Sequence, residues 1–320
     1  MKFVTYLSNG AGRLGLLVGN DILDLERASA ETAYPLPNDI IPFLRLGESA
    51  MKAARKIDEI AKDANAFRSA RIAADSVKLL APVPRPTSMR DGYAFRQHVE
   101  AARRNRGVEM IAEFDLFPVF YFTNHQAVIG PGPMEVMPEH LNKLDYELEA
   151  AIVIGKEGRN IKASDADEYI AGYTIMNDWS ARALQMEEMK LSLGPAKGKD
   201  FATAIGPYLT TKDELASHRI PSDRGDRYEL IMMASLNGQE LSRGNLKDMS
   251  WTFAEIIERA SYGVTLYPGD VIGSGTVGTG CLLELNGSKI TNNLWVQIGD
   301  TVTCANEELG ELTNTVIASK

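Results

Sequence analysis

Two short apolar runs, each with acids at one end, constrain the fold of this chain more than any other feature. Residues 144–154 read Leu-Asp-Tyr-Glu-Leu-Glu-Ala-Ala-Ile-Val-Ile. Residues 171–176 read Ala-Gly-Tyr-Thr-Ile-Met and lead into Asn177-Asp178-Trp179-Ser180-Ala181-Arg182. Short and continuously apolar, each run suits a strand buried on both faces. A strand places side chains i and i+2 on one face, so Glu147 and Glu149 point the same way. Like charges at the edge of an interior are costly unless a cation or a shared proton neutralises them. Together with Asp178 these acids suggest an all-oxygen site for a hard divalent cation. A solvated Glu-Leu-Glu face at a strand end is the bland alternative, and Glu147 and Glu149 alone do not decide between the two.

A chain of 320 residues can bury a large core and form two domains. Its net charge of −9 speaks against nucleic-acid binding, which calls for a basic face. The opening Met-Lys-Phe-Val-Thr-Tyr-Leu-Ser-Asn-Gly is too short in apolar residues for a signal peptide. No segment approaches the roughly 20 apolar residues of a membrane span. Cys281 and Cys304 are the only cysteines, too few for a disulfide framework or a zinc ribbon, so a cytoplasmic location is expected.

The first 25 residues alternate β-like runs with the turns Asn9-Gly10 and Gly19-Asn20. From Gly47 to about Ala74 the spacing turns helical, with Met51, Ala54, Ile57, Ile60, Ala61, Ala64 and Phe67 on one stripe. Pro82, Pro84 and Pro86 then make a stiff extended segment, which places a domain boundary near residue 80. Beyond it the chain reads as mainly β. Strands are expected at Val119–Thr123, Glu147–Ile154, Ile170–Ile175, Tyr228–Leu236, Val271–Gly275, Leu282–Leu285 and Thr301–Cys304. Helices are expected at Ala94–Arg104, Ala163–Tyr169 (with Ser164 and Asp167 as a capping box), Arg182–Met189 and Phe253–Ala260.

Gly273-Ser-Gly275-Thr-Val-Gly278 fits a dinucleotide-binding pattern, but the following Cys281-Leu282-Leu283-Glu284-Leu285 reads as a strand, where that motif needs a helix. Gly194 to Asp200 lacks the spacing and the Ser/Thr of a P-loop. Both stretches still suit glycine-rich rims where backbone approaches a ligand. Among the histidines, His98 has the densest chemical neighbourhood, in Arg90-Asp91-Gly92-Tyr93-Ala94-Phe95-Arg96-Gln97-His98. Asp91 and His98 lie about two helical turns apart and would share a face if both were helical. Spacing alone favours a plain exposed helix there. His125, His140 and His218 read as surface or capping residues, and Arg103, Arg104 and Arg106 as a solvated helix end or an anion contact.

In combination these segments resemble the fumarylacetoacetate hydrolase family. The motifs are Asp91-x-Tyr93-x-x-x-x-His98, Pro118-Val119-x-Tyr121, Leu144-Asp145-Tyr146-Glu147-Leu148-Glu149 and Met176-Asn177-Asp178-Trp179-Ser180-Ala181-Arg182-x-x-Gln185. They continue with Gly198-Lys199-Asp200-Phe201-x-Thr203, Gly273-Ser274-Gly275-Thr276 and Gly280-x-Leu282-Leu283-Glu284-Leu285. The resemblance implies an α+β, mainly β chain: a small α/β N-terminal domain over residues 1–80 and a catalytic β-sandwich roll over 81–320, usually as a homodimer. It implies a divalent metal, Mg²⁺ first with Mn²⁺ or Ca²⁺ as alternatives, on Glu147, Glu149 and Asp178, with Asp91 as a further ligand in hydrolytic members. It implies a His98–Glu284 dyad, Arg182, Gln185 and Lys199 around a developing oxyanion, and Tyr93, Tyr121 and Thr276 as substrate contacts. A tyrosine that some members carry between the Gln185 and Lys199 positions is replaced here by Met189 and Lys190, and an arginine expected beyond His98 has Arg104 and Arg106 as candidates. These departures bear on which substrate fits.

The activity so implied is hydrolysis of a carbon–carbon bond in a small anionic 1,3-dicarbonyl acid, of the fumarylacetoacetate or acylpyruvate type. Water activated by His98 and Glu284 would attack the carbonyl, with Lys199 and Gln185 on the oxyanion. Decarboxylation or isomerisation of a 2-oxo acid needs the enolate but no attacking water, and the dyad favours hydrolysis. A non-catalytic metal-binding β-domain would lack the dyad or Lys199, and all three residues are present.

Overall fold

The two apolar runs become neighbouring strands. In the structure, a computed structural model that describes residues 1–319, Leu148–Ile154 pairs antiparallel with Ile170–Asp178, with Leu148 opposite Asn177 and Ile152 opposite Tyr173. Every residue of Leu148–Ile154 is buried, and the period of two sorts its side chains between two cores. Leu148, Ala150, Ile152 and Ile154 enter the larger core, which a second sheet covers. Ala151 and Val153 enter another, shared with the N-terminal helices.

Glu149 has the parity of Ala151 and Val153. On the strands alongside, Asp178 has the parity of Met176, and Asp91 that of Met89, and both methionines belong to that same second core. Strand parity therefore sends the acids of three strands to one side of the sheet.

This main sheet has eleven strands. Its order runs Arg71–Ala73, Asp21–Asp24, Ala11–Val18, Lys2–Ser8, Thr203–Thr210, Ile170–Asp178, Leu148–Ile154, Val271–Gly273, Met89–Gly92 and Phe120–Phe122, with Val128–Ile129 beside Thr203–Thr210. The N-terminal strands join it directly, since Lys2 pairs with Thr210 and Phe3 with Leu209. A second sheet of five strands runs Gln239–Asn245, Ile231–Leu236, Thr301–Asn306, Gly310–Ala318 and Gly132–Val136. Mixed and strand-rich, with helices packed on a layered β core, this is the expected fold class. No helix is long and apolar enough to cross a membrane among the described residues.

Several local expectations are corrected. Leu282–Leu285 is not a strand but the start of a helix, Leu282–Gly287. The Asp145 carboxylate accepts from the amides of Leu282 at 2.7 Å and Leu283 at 3.0 Å, satisfying the open N–H groups of the first turn. Leu282 and Leu285 are buried three positions apart, as one helix face requires. No capping box forms with Ser164, whose hydroxyl bonds to Asp165. Thr252 and Glu255 build one instead at the head of Phe253–Ser261. The N-terminal helix, Glu48–Ala61, ends before Ala64 and Phe67, and its Ile60 is exposed. Asp91 and His98 share no helix, because Asp91 lies on Met89–Gly92 and His98 on the helix Arg96–Asn105.

Candidate metal centre and active site

Asp91, Glu147 and Asp178 each offer a carboxylate oxygen within 4.8 Å of the others, and all three are buried. Glu149 lies beside them, fully buried. The Gly275 amide donates to Asp91 Oδ1 at 3.2 Å and to Glu149 Oε2 at 3.1 Å, and the Thr276 hydroxyl donates to Glu149 at 3.3 Å. The close approach depends on glycine: a Cβ on Gly273 would lie 2.5 Å from Asp91 Oδ1. The loop from Gly273 does lead to a helix, at Leu282, so the reason first given against a dinucleotide site is corrected. That reading fails because the loop's amide meets carboxylates, which leaves no place for a pyrophosphate.

The charges do not balance. Burial raises Asp91 to about 8, helped by the charge of Asp178. Glu149 is pushed well up by burial and by Asp91 and Glu147. Burial also raises Asp178, against the pull of Lys199. Glu147 goes the other way: burial opposes its ionisation, but Lys199 and Arg182 outweigh it and hold the carboxyl at about 2. The Lys199 ammonium bonds to Glu147 and, at 2.7 Å, to Asp178. Arg182 donates to Glu147 at 2.8 Å, to Asp145 at 2.8 Å and to Gln185 Oε1 at 3.0 Å. With Lys199 and Arg182 bonded to other acids, Asp91 and Glu149 have neutral donors, the Gly275 amide and the Thr276 hydroxyl, but no bonded cation. A donor set of oxygens with excess negative charge fits a hard divalent cation.

His98 Nδ1 lies 2.6 Å from Glu284 Oε2, joining residues 186 positions apart. The other Glu284 oxygen accepts from the Thr279 amide at 3.0 Å. Tyr93 sets its ring edge-on to the imidazole, 5.9 Å between centroids. Tyr121 donates to Asp178 at 2.5 Å. A cavity of about 770 Å³ is bordered by Asp91, Tyr93, His98, Tyr121, Glu147, Arg182, Gln185, Lys199, Thr276 and Glu284. The expected site residues thus gather in one place, with Glu149 and Asp178 behind the cavity wall, bonded to Thr276 and Tyr121. His125, His140 and His218 stay outside it; His140 stacks on Phe201 and its Nδ1 accepts from the Met137 amide.

Sequence reading missed two contributions. Asp145, fully buried, ties Arg182 to the helix that carries Glu284, and its place in the Leu144–Glu149 motif was the available signal. The other is an apolar wall of Met186, Met189 and Leu283. Of the two candidate arginines, Arg106 borders the cavity.

The fumarylacetoacetate (FAA) hydrolase C-terminal family model matches residues 87–317. The chain is 31% identical over 321 residues to the fumarylacetoacetate hydrolase domain-containing protein 2 homolog of Dictyostelium discoideum, covering 99% of this chain and 97% of that protein. It is 30% identical to oxaloacetate tautomerase YisK of Bacillus subtilis, covering 99% and 100%. A maleylpyruvate hydrolase from Sphingobium, solved with manganese(II) and pyruvate, shares the fold at a TM-score of 0.71 and 23% identity, each chain covered in full. Motif order, carboxylate cluster and full-length similarity agree, and the chain belongs to the fumarylacetoacetate hydrolase family.

Proposed function

We propose that this protein is a metal-dependent keto–enol tautomerase of a small 2-oxo dicarboxylate of the oxaloacetate type. The buried His98–Glu284 pair facing the same cavity as the carboxylate cluster serves proton transfer as well as it serves hydrolysis, so the expected preference for hydrolysis gives way to the similarity with named relatives. Full-length relatives named oxaloacetate tautomerases support the proposal. Asp91, Glu147, Glu149 and Asp178 would hold the divalent cation, Mg²⁺ in the first instance. Such a cation, when bound, stabilises negative charge on the oxygens of a 2-oxo acid.

The chain's own residues do the rest. Glu284 accepts the Nδ1 proton of His98, which leaves Nε2 to take a proton from the substrate and to return it. Tautomerisation needs that movement between carbon and oxygen and no attacking water. Lys199 is committed to Glu147 and Asp178, so its ammonium is better placed to hold the acids than to receive an oxyanion. Arg106 at the cavity wall suits the distal carboxylate. Met186, Met189 and Leu283 give the cavity an apolar side against which the carbon chain of the substrate would lie. A homodimer acting in the cytoplasm completes the proposal, although the animal relatives are named mitochondrial.

Hydrolysis of a 1,3-dicarbonyl acid is the second reading, and the cavity's size favours it, because about 770 Å³ exceeds what a four-carbon acid fills. A panel of enol oxaloacetate, acylpyruvates and fumarylacetoacetate with Mg²⁺ or Mn²⁺ separates the two. Faster conversion of the enol to the ketone without loss of carbon supports the tautomerase. Cleavage of acylpyruvates into two products would establish the hydrolase, and release of CO₂ a decarboxylase.

A further inference from the structure

The mechanism leaves one reactive group beside the dyad unused. Cys281 is buried, and its sulfur lies with a ring nitrogen of His98 and a carboxylate oxygen of Glu284 in a set whose members are all within 4.8 Å of one another. Cys281 stands at the head of the helix Leu282–Gly287, three positions before Glu284, so one helical turn carries both the sulfur and the carboxylate of the set. Sulfur, imidazole nitrogen and carboxylate oxygen on three side chains form the donor combination of a zinc site with an open fourth position. The carboxylate cluster nearby is all oxygen, so the two sites differ in the metal they select.

We infer that His98, Cys281 and Glu284 form a second metal site, selective for a borderline-soft divalent cation such as Zn²⁺, whose occupation switches off the catalytic dyad. Zinc bonds of about 2.0–2.3 Å place the donors of a tetrahedral shell roughly 3–4 Å apart, so the His98–Glu284 pair, now 2.6 Å apart, opens by somewhat under an ångström while the sulfur, within 4.8 Å of both, closes in. Between His98 Nδ1 and Glu284 the ion takes the place of the proton they share, which passes to Nε2 as the imidazole changes tautomer. Cys281 is a neutral thiol until the ion arrives, because burial disfavours its thiolate. Coordination forms the Zn–S bond and releases the thiol proton to solvent. His98 and Glu284 border the open cavity, which gives the ion its route. Once bound, it holds the imidazole that would move the substrate proton, while the carboxylate cluster keeps its own cation.

Inhibition rests on the proposed role of the dyad, whereas coordination does not, and the test separates them. The full-length protein, with saturating Mg²⁺, is assayed for enol oxaloacetate turnover against buffered free Zn²⁺, and is separately titrated with Co²⁺. The wild type loses activity at low free Zn²⁺ and shows a near-ultraviolet thiolate-to-cobalt absorption band. Cys281→Ser, which removes no catalytic group, keeps its Mg²⁺-supported rate, shifts half-inhibition by roughly tenfold or more and loses the band. His98→Gln keeps the thiol but weakens Co²⁺ binding. Equal Zn²⁺ inhibition of wild type and Cys281→Ser would place the inhibitory ion on the carboxylates and overturn the inference. So would a cobalt band that survives in Cys281→Ser, since Cys304 would then be its source. If no substrate turns over, the cobalt band alone decides the coordination: its presence in wild type and loss in Cys281→Ser uphold the site, and its absence in wild type removes it.

Discussion

At the scale of single residues, the site combines groups that are unstable alone. Glu284 orients His98, so each is expected to be worth the same catalytic contribution. His98→Ala and Glu284→Gln should each lower kcat by about 10²–10⁴-fold, and the double variant should be little worse than the poorer single. Additive losses in steady-state kinetics would show that the two work separately. Glu147→Ala or Asp178→Ala should weaken Mg²⁺ or Mn²⁺ binding by about tenfold or more in calorimetry, while the dyad variants bind metal normally. An unchanged affinity in both carboxylate variants would remove the metal assignment. Much of this was legible in the sequence, because Glu149 and Asp178 lie on apolar strands whose period of two fixes their direction, while Glu147, expected on the same strand, stands just before its first residue. The partners of Lys199 and the double duty of Asp145 were not. They depend on contacts such as Asp145 with Leu282, 137 positions away, which no local pattern encodes.

At the scale of elements, one glycine lets side chains from the strands Met89–Gly92 and Ile170–Asp178 close in on Val271–Gly273. Gly273 faces Asp91, and a methyl group there would meet Asp91 Oδ1 at 2.5 Å and Met176 Cε at 2.8 Å. Gly273→Ala should therefore reduce metal affinity without removing a ligand, and cost about 1–3 kcal/mol of stability by overpacking. Normal calorimetry and a normal denaturation midpoint for this variant would contradict the packing described. Strands with plain apolar runs were readable, Leu148–Ile154 and Ile170–Asp178 above all. Thr203–Thr210 was not, because Gly206-Pro207 interrupts its pattern and reads as a turn. Leu282–Leu285 misled for the opposite reason. A short apolar run is compatible with either state, and the Asp145 carboxylate beneath its amides decides for helix.

At the scale of the whole molecule, the buried acids make stability depend on pH and on metal together. An acid whose folded pKa is raised keeps a proton that the unfolded chain has released, so stability falls as pH rises between the two values. For Asp91 those values are the ordinary 3.8 and about 8, and Glu149 shifts in the same direction. Glu147 has the opposite sign, and its contribution is lost only as pH falls from the ordinary 4.5 towards about 2. Metal-free protein should thus melt at progressively lower temperature as pH climbs from about 5 to about 8, and Mg²⁺ should restore most at the alkaline end, where it replaces the missing protons. Melting scans in chelator and in Mg²⁺ test this, and a rise in melting temperature over that range without metal would refute it.

The main sheet also runs without a break from the carboxylate-bearing strands into Lys2–Ser8, and the face around Ala151, Val153, Ile205 and Leu209 packs against the N-terminal segment. A fragment beginning at residue 81 would carry that oily face, and part of an unpaired strand edge, into water. Such a fragment should be recovered from expression as aggregate, so the first eighty residues act as a permanent solubilising cover for the larger part of the molecule, which holds the chemistry.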